Sequence, residues 1–254
     1  MGETAAARWT ELQQGRGIPP EILARATGNP WHHDVESFGP PAEPVDTPSR
    51  RAALALLAEG GTVLDVGCGG GTAALALTGV AHHLTGMDQQ QDMLDAFAAE
   101  ARARDIPHRT VLGHWPEDAA AAGTADVVVS HHVLHNVVDL VPFLEALTAA
   151  AHRGVVVEMM GQHPMAWLDP LWVRFHDLHR PPPATTDDAV AVLREIGIDP
   201  VVQRWERGAV PNRPDAEGVT RRLCLPQEAV PDVAEAMQGC ERPGLAATLS
   251  WPAR

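Results

Sequence analysis

Residues Thr62, Val63, Leu64, Asp65 and Val66 form a short apolar run with one acid, and glycines follow at 67, 69, 70 and 71 around Cys68. A segment rich in alanine and leucine begins at Thr72. A buried strand, a tight turn and a helix start are written this way. The glycines allow positive φ and let a ligand come close to the main chain. The helix start then offers unpaired N–H groups to that ligand.

Two cofactor classes use such a turn. Dinucleotide sites carry G-x-G-x-x-G, with the pyrophosphate on the helix N-terminus, and here the third glycine of that pattern falls at Thr72. The spacing Asp65-x-Gly67-x-Gly69-x-Gly71 instead resembles the first motif of the class I S-adenosylmethionine (SAM)-dependent methyltransferases. An acid ahead of the turn repels a pyrophosphate and accepts from an ammonium. The resemblance implies that Asp65, Gly67, Gly69 and Gly71 hold SAM, with S-adenosylhomocysteine as product.

At 254 residues the chain fits one large α/β domain. A net charge of −14 argues against a nucleic-acid surface. All 19 basic residues are arginine and tyrosine is absent, so neither lysine nor tyrosine is available as a base. Cys68, Cys224 and Cys240 have no metal-type spacing, and no apolar run approaches membrane length. No basic-then-apolar signal segment opens the chain. These features predict a cytoplasmic protein with no metal, nucleic-acid or membrane partner; the resemblance implies a small-molecule substrate, with a monomer or homodimer expected.

Residues 1–46 read as an N-terminal extension dense in proline and glycine, with short helices near Trp9 and Ile22. Thr47-Pro48 caps an amphipathic helix that Gly60-Gly61 ends. A helix over 71–79 and a second strand ending at Asp88 follow. A carboxylate at that strand end suits the hydroxyls of a ribose, with Gln89 beside it. Met93 begins a helix and can touch an adenine, although methionine at helical spacing also serves as core. Arg109 to Gly113 forms a third strand. The resemblance places the following loop at the adenine edge, where this chain has His114 and Trp115 in place of the family's acid and small residue. Trp115 is therefore assigned to the cofactor, either packing on the base or serving it through its main-chain N–H.

Asp126 to Ser130 is a valine-rich central strand running into His131, His132, His135 and Asn136. Gly154 to Met160 is the fifth strand, with Glu158 at the same rim. Ligands of parallel sheets gather beyond these carboxyl ends. Leu168, Leu171, Trp172, Phe175 and His179 then share one helical face, with His163 and Trp167 just ahead of it. That face reads as a pocket wall or as plain core. Thr186 to Gly197 reads as a capped helix and Asp199 to Arg207 as a sixth strand. An insertion over about 208–243 precedes a final strand from Gly244 to Trp251.

The resemblance covers roughly 47–254, with helical insertions at about 161–183 and 208–243. It implies a Rossmann-like class I methyltransferase fold: a seven-stranded, mostly parallel sheet with helices on both faces and a helical N-terminal lid. It also implies in-line methyl transfer to an O or N atom of a small molecule, of the kind found in bacterial secondary metabolism. A histidine suits a base at neutral pH, and His132, His135 and His176 are the candidates. His131 is assigned to the cofactor. Trp31, Asn136, Glu158, His163, Trp167 and Trp172 are assigned to the acceptor. Other SAM chemistry releasing methylthioadenosine, a non-catalytic SAM-binding module and a nicotinamide dehydrogenase are the competing readings.

Overall fold

The computed structural model describes residues 2–31, 35, 39–207, 215–240 and 244–253. The first helices are α1 (Ala5–Gln14), α2 (Pro20–Leu23) and α3 (Pro48–Leu57). Thr47 caps α3 by accepting from the Arg50 N–H, and Pro48 opens its first turn. The Rossmann-like half follows as β1 (Gly61–Val66), α4 (Thr72–Leu75), β2 (Ala81–Asp88), α5 (Gln91–Ala103) and β3 (His108–Leu112). Next come α6 (Ala119–Ala122), β4 (Ala125–His131), α7 (Leu140–Ala150) and β5 (Ala151–Met160). The remainder is α8 (Asp169–His176), α9 (Thr186–Glu195), β6 (Val201–Glu206), α10 (Ala216–Arg222), α11 (Val230–Ala236) and β7 (Leu245–Pro252).

The seven strands form one sheet in the order β3-β2-β1-β4-β5-β7-β6. Pairs among β1 to β5 are parallel, and β7 runs antiparallel to both β5 and β6. The strand order reverses between β1 and β4, which opens a crevice at their carboxyl ends. Because β6 runs parallel to β5, the insertions after both strands leave the sheet at that same edge.

Alternation along each strand divides the core into two layers. Val63, Val127, Val129 and Val156 meet Ala53, Leu57, Leu94 and Phe97 from α3 and α5. Leu64, Val66, Val128, Val155 and Val157 meet Trp9, Phe143, Leu147, Val190 and Leu193 from α1, α7 and α9. A third cluster lies in the insertions, where Ile22, Trp167, Leu168, Leu171 and Trp172 pack with Val219, Leu223 and Val233.

Two expected helices are shorter than the residue pattern suggests. The helix over 71–79 is only the one turn of α4, because residues 76–80 fold back in tight turns toward β2 and Gly79 adopts φ +96°. The tryptophan-rich helix stops at Asp177, which takes a left-handed φ of 52°. His179 therefore lies beyond the helical face that Leu168, Leu171 and Trp172 share, and its side chain is exposed.

The first helix belongs to the main core. Trp9 is fully buried, and its indole N–H donates to the Val137 carbonyl at 2.8 Å. Gln13 donates to the carbonyls of His135 and Val137, at 2.9 and 3.2 Å. Helix α1 thus braces the loop that leaves β4. Trp9→Ala is expected to lower unfolding free energy by about 3–5 kcal/mol, measured by urea denaturation, since it empties a large core site.

Candidate active site

Two glycines are sterically required at the first turn. Gly67 has φ +70°, and a Cβ there would lie 2.4 Å from Val133 Cγ2. Gly71 has φ +93°, and a Cβ would meet Leu75 Cδ1 at 2.5 Å and Phe97 Cδ2 at 2.8 Å. The N–H groups of Gly67 and Cys68 both donate to the Met87 carbonyl, at 2.8 and 3.0 Å. The turn is thereby tied to the end of β2.

Two acids flank this turn. Asp88 Oδ2 accepts from the Gly69 N–H at 2.9 Å, and Oδ1 accepts from the Gln90 N–H at 3.0 Å. Asp65 is buried and accepts from the Ala74 N–H at 3.1 Å. Burial pushes its carboxyl up to about 7, opposed by that hydrogen bond and reinforced by the charge of Asp88.

Beyond Asp88, Gln89 lines an open groove of about 620 Å³ with Asn29, Trp31, Gln90, Asp92 and His114. Trp31, expected beside an acceptor, thus stands at the β2 side of the molecule. The adjoining His32 and His33 lie outside the described residues. The Trp115 indole N–H donates to the Phe143 carbonyl at 3.2 Å, and its ring packs partly against the main core. Met93 is buried on α5.

The ends of β4 and β5 carry a buried polar network. His131, Glu158 and Thr248 are cross-strand neighbours in one row of the sheet. Side chains so paired share a face. Glu158 Oε1 lies 3.0 Å from His132 Nε2, and Oε2 lies 4.0 Å from His131 Nδ1. Ser49 of α3 stands near the Glu158 carboxylate and helps hold it ionised. Ser49 Oγ and Thr248 Oγ1 are 2.7 Å apart, and the Trp205 indole N–H donates to Thr248 at 3.2 Å.

Proton counting fixes the direction of the His132 contact. Burial raises the Glu158 carboxyl, but the bond from His132 and the nearby Ser49 and His131 bring it down to about 2. As a carboxylate it can only accept. His132 therefore donates a hydrogen bond to Glu158 through its Nε2–H. The Nδ1 of His132 is then a lone-pair acceptor, and it is buried with no hydrogen-bond partner. His132 holds a left-handed φ of 62°, fixed by its N–H donating to the Glu158 carbonyl at 2.7 Å. Such backbone strain persists where surrounding structure over-determines it.

The other histidines differ. His135 Nε2 accepts from the Met160 N–H at 3.1 Å, so its free lone pair is already used and a base role is not open to it in this geometry. Its ring meets that of His163 edge-on at 5.7 Å. His176 Nε2 donates to the Leu223 carbonyl at 2.7 Å and ties α8 to α10 within the insertion cluster. Trp167 and Trp172 are buried in that same cluster, as packing. Asn136 is exposed. Ser49, Thr248 and Trp205 complete the rim network without any local sequence signal. Among the described residues no group of three or more His, Cys, Asp or Glu side chains is placed to hold a metal.

Residues 64–157 match a family model described as a methyltransferase domain. Among solved structures, magnesium protoporphyrin IX methyltransferase of Synechocystis PCC 6803, with bound S-adenosylhomocysteine, is 13% identical. That match covers 92% of this chain and 93% of the other, with a TM-score of 0.52. A chain solved in connection with conversion of a disulfide bond into a thioacetal group during echinomycin biosynthesis is 18% identical, covering 98% and 92%, with a TM-score of 0.53. A candidate methyltransferase of Bacillus halodurans C-125 is 14% identical over 80% of this chain and 98% of its own, with a TM-score of 0.56. At these identities the likeness is one of fold. No curated protein matches the sequence.

The buried histidines set an acid limit on the fold. Burial holds His131 at about 4, His135 at about 3 and His163 at about 4, below the ordinary 6.5. In the unfolded chain they take up protons below about 6.5, so stability falls as pH drops from there toward 4. Asp65 acts oppositely: its raised carboxyl holds a proton in the fold that the unfolded chain releases, so its effect falls on the alkaline side of 3.8. Melting temperature is expected to rise between pH 4.5 and about 6.5, and to rise more steeply in Asp65→Asn, followed by circular dichroism.

Proposed function

We propose that the chain, whose residues 64–157 match a methyltransferase domain, is a class I SAM-dependent methyltransferase that methylates an oxygen or nitrogen of a small molecule, with His132 as the base. When bound, SAM supplies a methyl group already activated on a sulfonium. The residues present suit it. Asp65 is a buried acid that accepts the Ala74 N–H, and the ammonium of the methionine part would supply the cation that keeps it ionised. Asp88 retains lone pairs for the ribose hydroxyls beside its two amide contacts. Gln89 and Trp31 border the groove where the rest of the nucleoside would lie. Gly67, Gly69 and Gly71 bring the main chain against the methionine part, while Met93, Trp115 and His131 stand on the elements around it.

The observation that carries the acceptor side is the unpartnered Nδ1 of His132, backed by a carboxylate on the opposite ring nitrogen. A histidine so oriented can take a proton from a hydroxyl or amine, and Glu158 then faces an imidazolium. Thr248, Ser49 and Trp205 hold Glu158 in place, and His135 and His163 form the wall behind the loop. We place residues 1–46 as an extension to a catalytic domain over 47–254: α1 braces the β4 loop, and Asn29 and Trp31 border the groove beside Gln89. A role in bacterial secondary metabolism, a cytoplasmic setting and a monomeric or homodimeric state complete the reading.

Screening hydroxylated and aminated aromatic acceptors with SAM is expected to yield S-adenosylhomocysteine and not methylthioadenosine, which would signal other SAM chemistry. With an acceptor found, His132→Ala is expected to lower kcat about 100-fold or more while S-adenosylhomocysteine affinity is retained. The loss should shrink for acceptors acidic enough to arrive ionised. A variant with undiminished turnover on a weakly acidic acceptor would remove the base assignment.

A further inference from the structure

The arginines of the insertion rim form the strongest feature that the proposed chemistry leaves unused. Arg16 is buried and committed, donating to the Pro181 carbonyl at 2.5 Å and to Asp169 at 2.6 Å. Arg180 is different. Its guanidinium stacks on the Trp172 ring at 4.1 Å, and its Nε is buried without a hydrogen-bond partner. Among the described residues no carboxylate lies within ion-pair range of it. Asp169, a carboxylate that acts on it at longer range, is already engaged by Arg16.

Position links this cation to the acceptor side. Arg180 and Arg16, with Arg222, act electrostatically on His163, whose ring meets His135 at 5.7 Å. His135 lies in the short loop that also carries His132. In a chain of net charge −14, clustered guanidinium groups at one edge of the sheet are a focused exception. Stacking on Trp172 fixes the plane of Arg180 and leaves its N–H edge for a planar or tetrahedral oxyanion.

We propose that Arg180 is a specificity-determining residue that binds an anionic oxygen group, carboxylate or phosphate, on the methyl acceptor. This rests on the methyltransferase reading and narrows its acceptors to anionic small molecules. Cost and gain favour it: a half-buried guanidinium without a counter-ion is held at an energetic disadvantage that an arriving oxyanion removes. The same fork could instead meet the carboxylate of the cofactor, and the experiment separates the two.

The test uses full-length protein saturated with S-adenosylhomocysteine and follows tryptophan fluorescence on titration with benzoate, phenyl phosphate and neutral benzamide. Benzoate or phenyl phosphate is expected to bind on the order of tenfold or more tighter than benzamide. Whichever anion binds tighter identifies the group. Arg180→Gln is expected to abolish that preference with unchanged affinity for S-adenosylhomocysteine, while Arg180→Lys, which keeps the charge but not the fork, retains part of it. Equal binding of benzoate, phenyl phosphate and benzamide, or no binding of any of them, would overturn the proposal. So would an anion preference that survives in Arg180→Gln. A fall in S-adenosylhomocysteine affinity in that variant would assign the arginine to the cofactor and also overturn it. Failure of the wild-type protein to bind S-adenosylhomocysteine would instead strike the methyltransferase reading itself.

Discussion

The carboxylate of Asp88 joins the end of β2 to the glycine turn after β1 through the Gly69 N–H, while its other oxygen opens the next segment through Gln90. The glycine turn leans on that bridge, which adds a side-chain tie to the main-chain bonds from Gly67 and Cys68 to Met87 and to the Ala74 N–H bond to Asp65. The turn in turn leaves no room for side chains at two of its glycines, where Val133 on one side and Phe97 with Leu75 on the other close the space. Val133 belongs to the loop leaving β4, so the glycine turn and that loop are in direct steric contact.

At the ends of β4 and β5, burial and hydrogen bonding oppose each other. Desolvation alone would neutralise Glu158, yet the bond from His132 and the nearby Ser49 keep it ionised. These groups come from α3 and the β4 loop, and β7 and β6 support Ser49 through Thr248 and Trp205, so the carboxylate is positioned by both halves of the sheet. Removing one member of such a network leaves its neighbours with unpaired polar atoms, which is costly in a dry site. The strained backbone of His132 is tolerated for the same reason.

Local chemistry was the legible part of this sequence. The glycine turn, the acid before it, Asp88 at a strand end and the valine run of β4 all carry their meaning within a few residues, and seven strands form the mixed sheet that pattern implies. Long-range pairing was not legible. Nothing near Ser49 points to Thr248, 199 positions away, and nothing near His135 points to the Met160 amide that takes up its lone pair. Helical spacing at Trp172 could not distinguish a pocket wall from a stripe packed against α10 and α11, and the packed arrangement holds. The end of α8 at Asp177, which removes His179 from that face, depends on a left-handed residue other than glycine. Trp9 gave no sign that the first helix completes the core.

The most direct measurement of the central claim is a calorimetric titration of S-adenosylhomocysteine into the wild-type protein and Asp88→Ala. If this carboxylate both holds the turn and receives the ribose, the variant binds roughly 100-fold more weakly, as expected for loss of two hydrogen bonds to a charged group. Equal affinity in the two proteins would contradict the account.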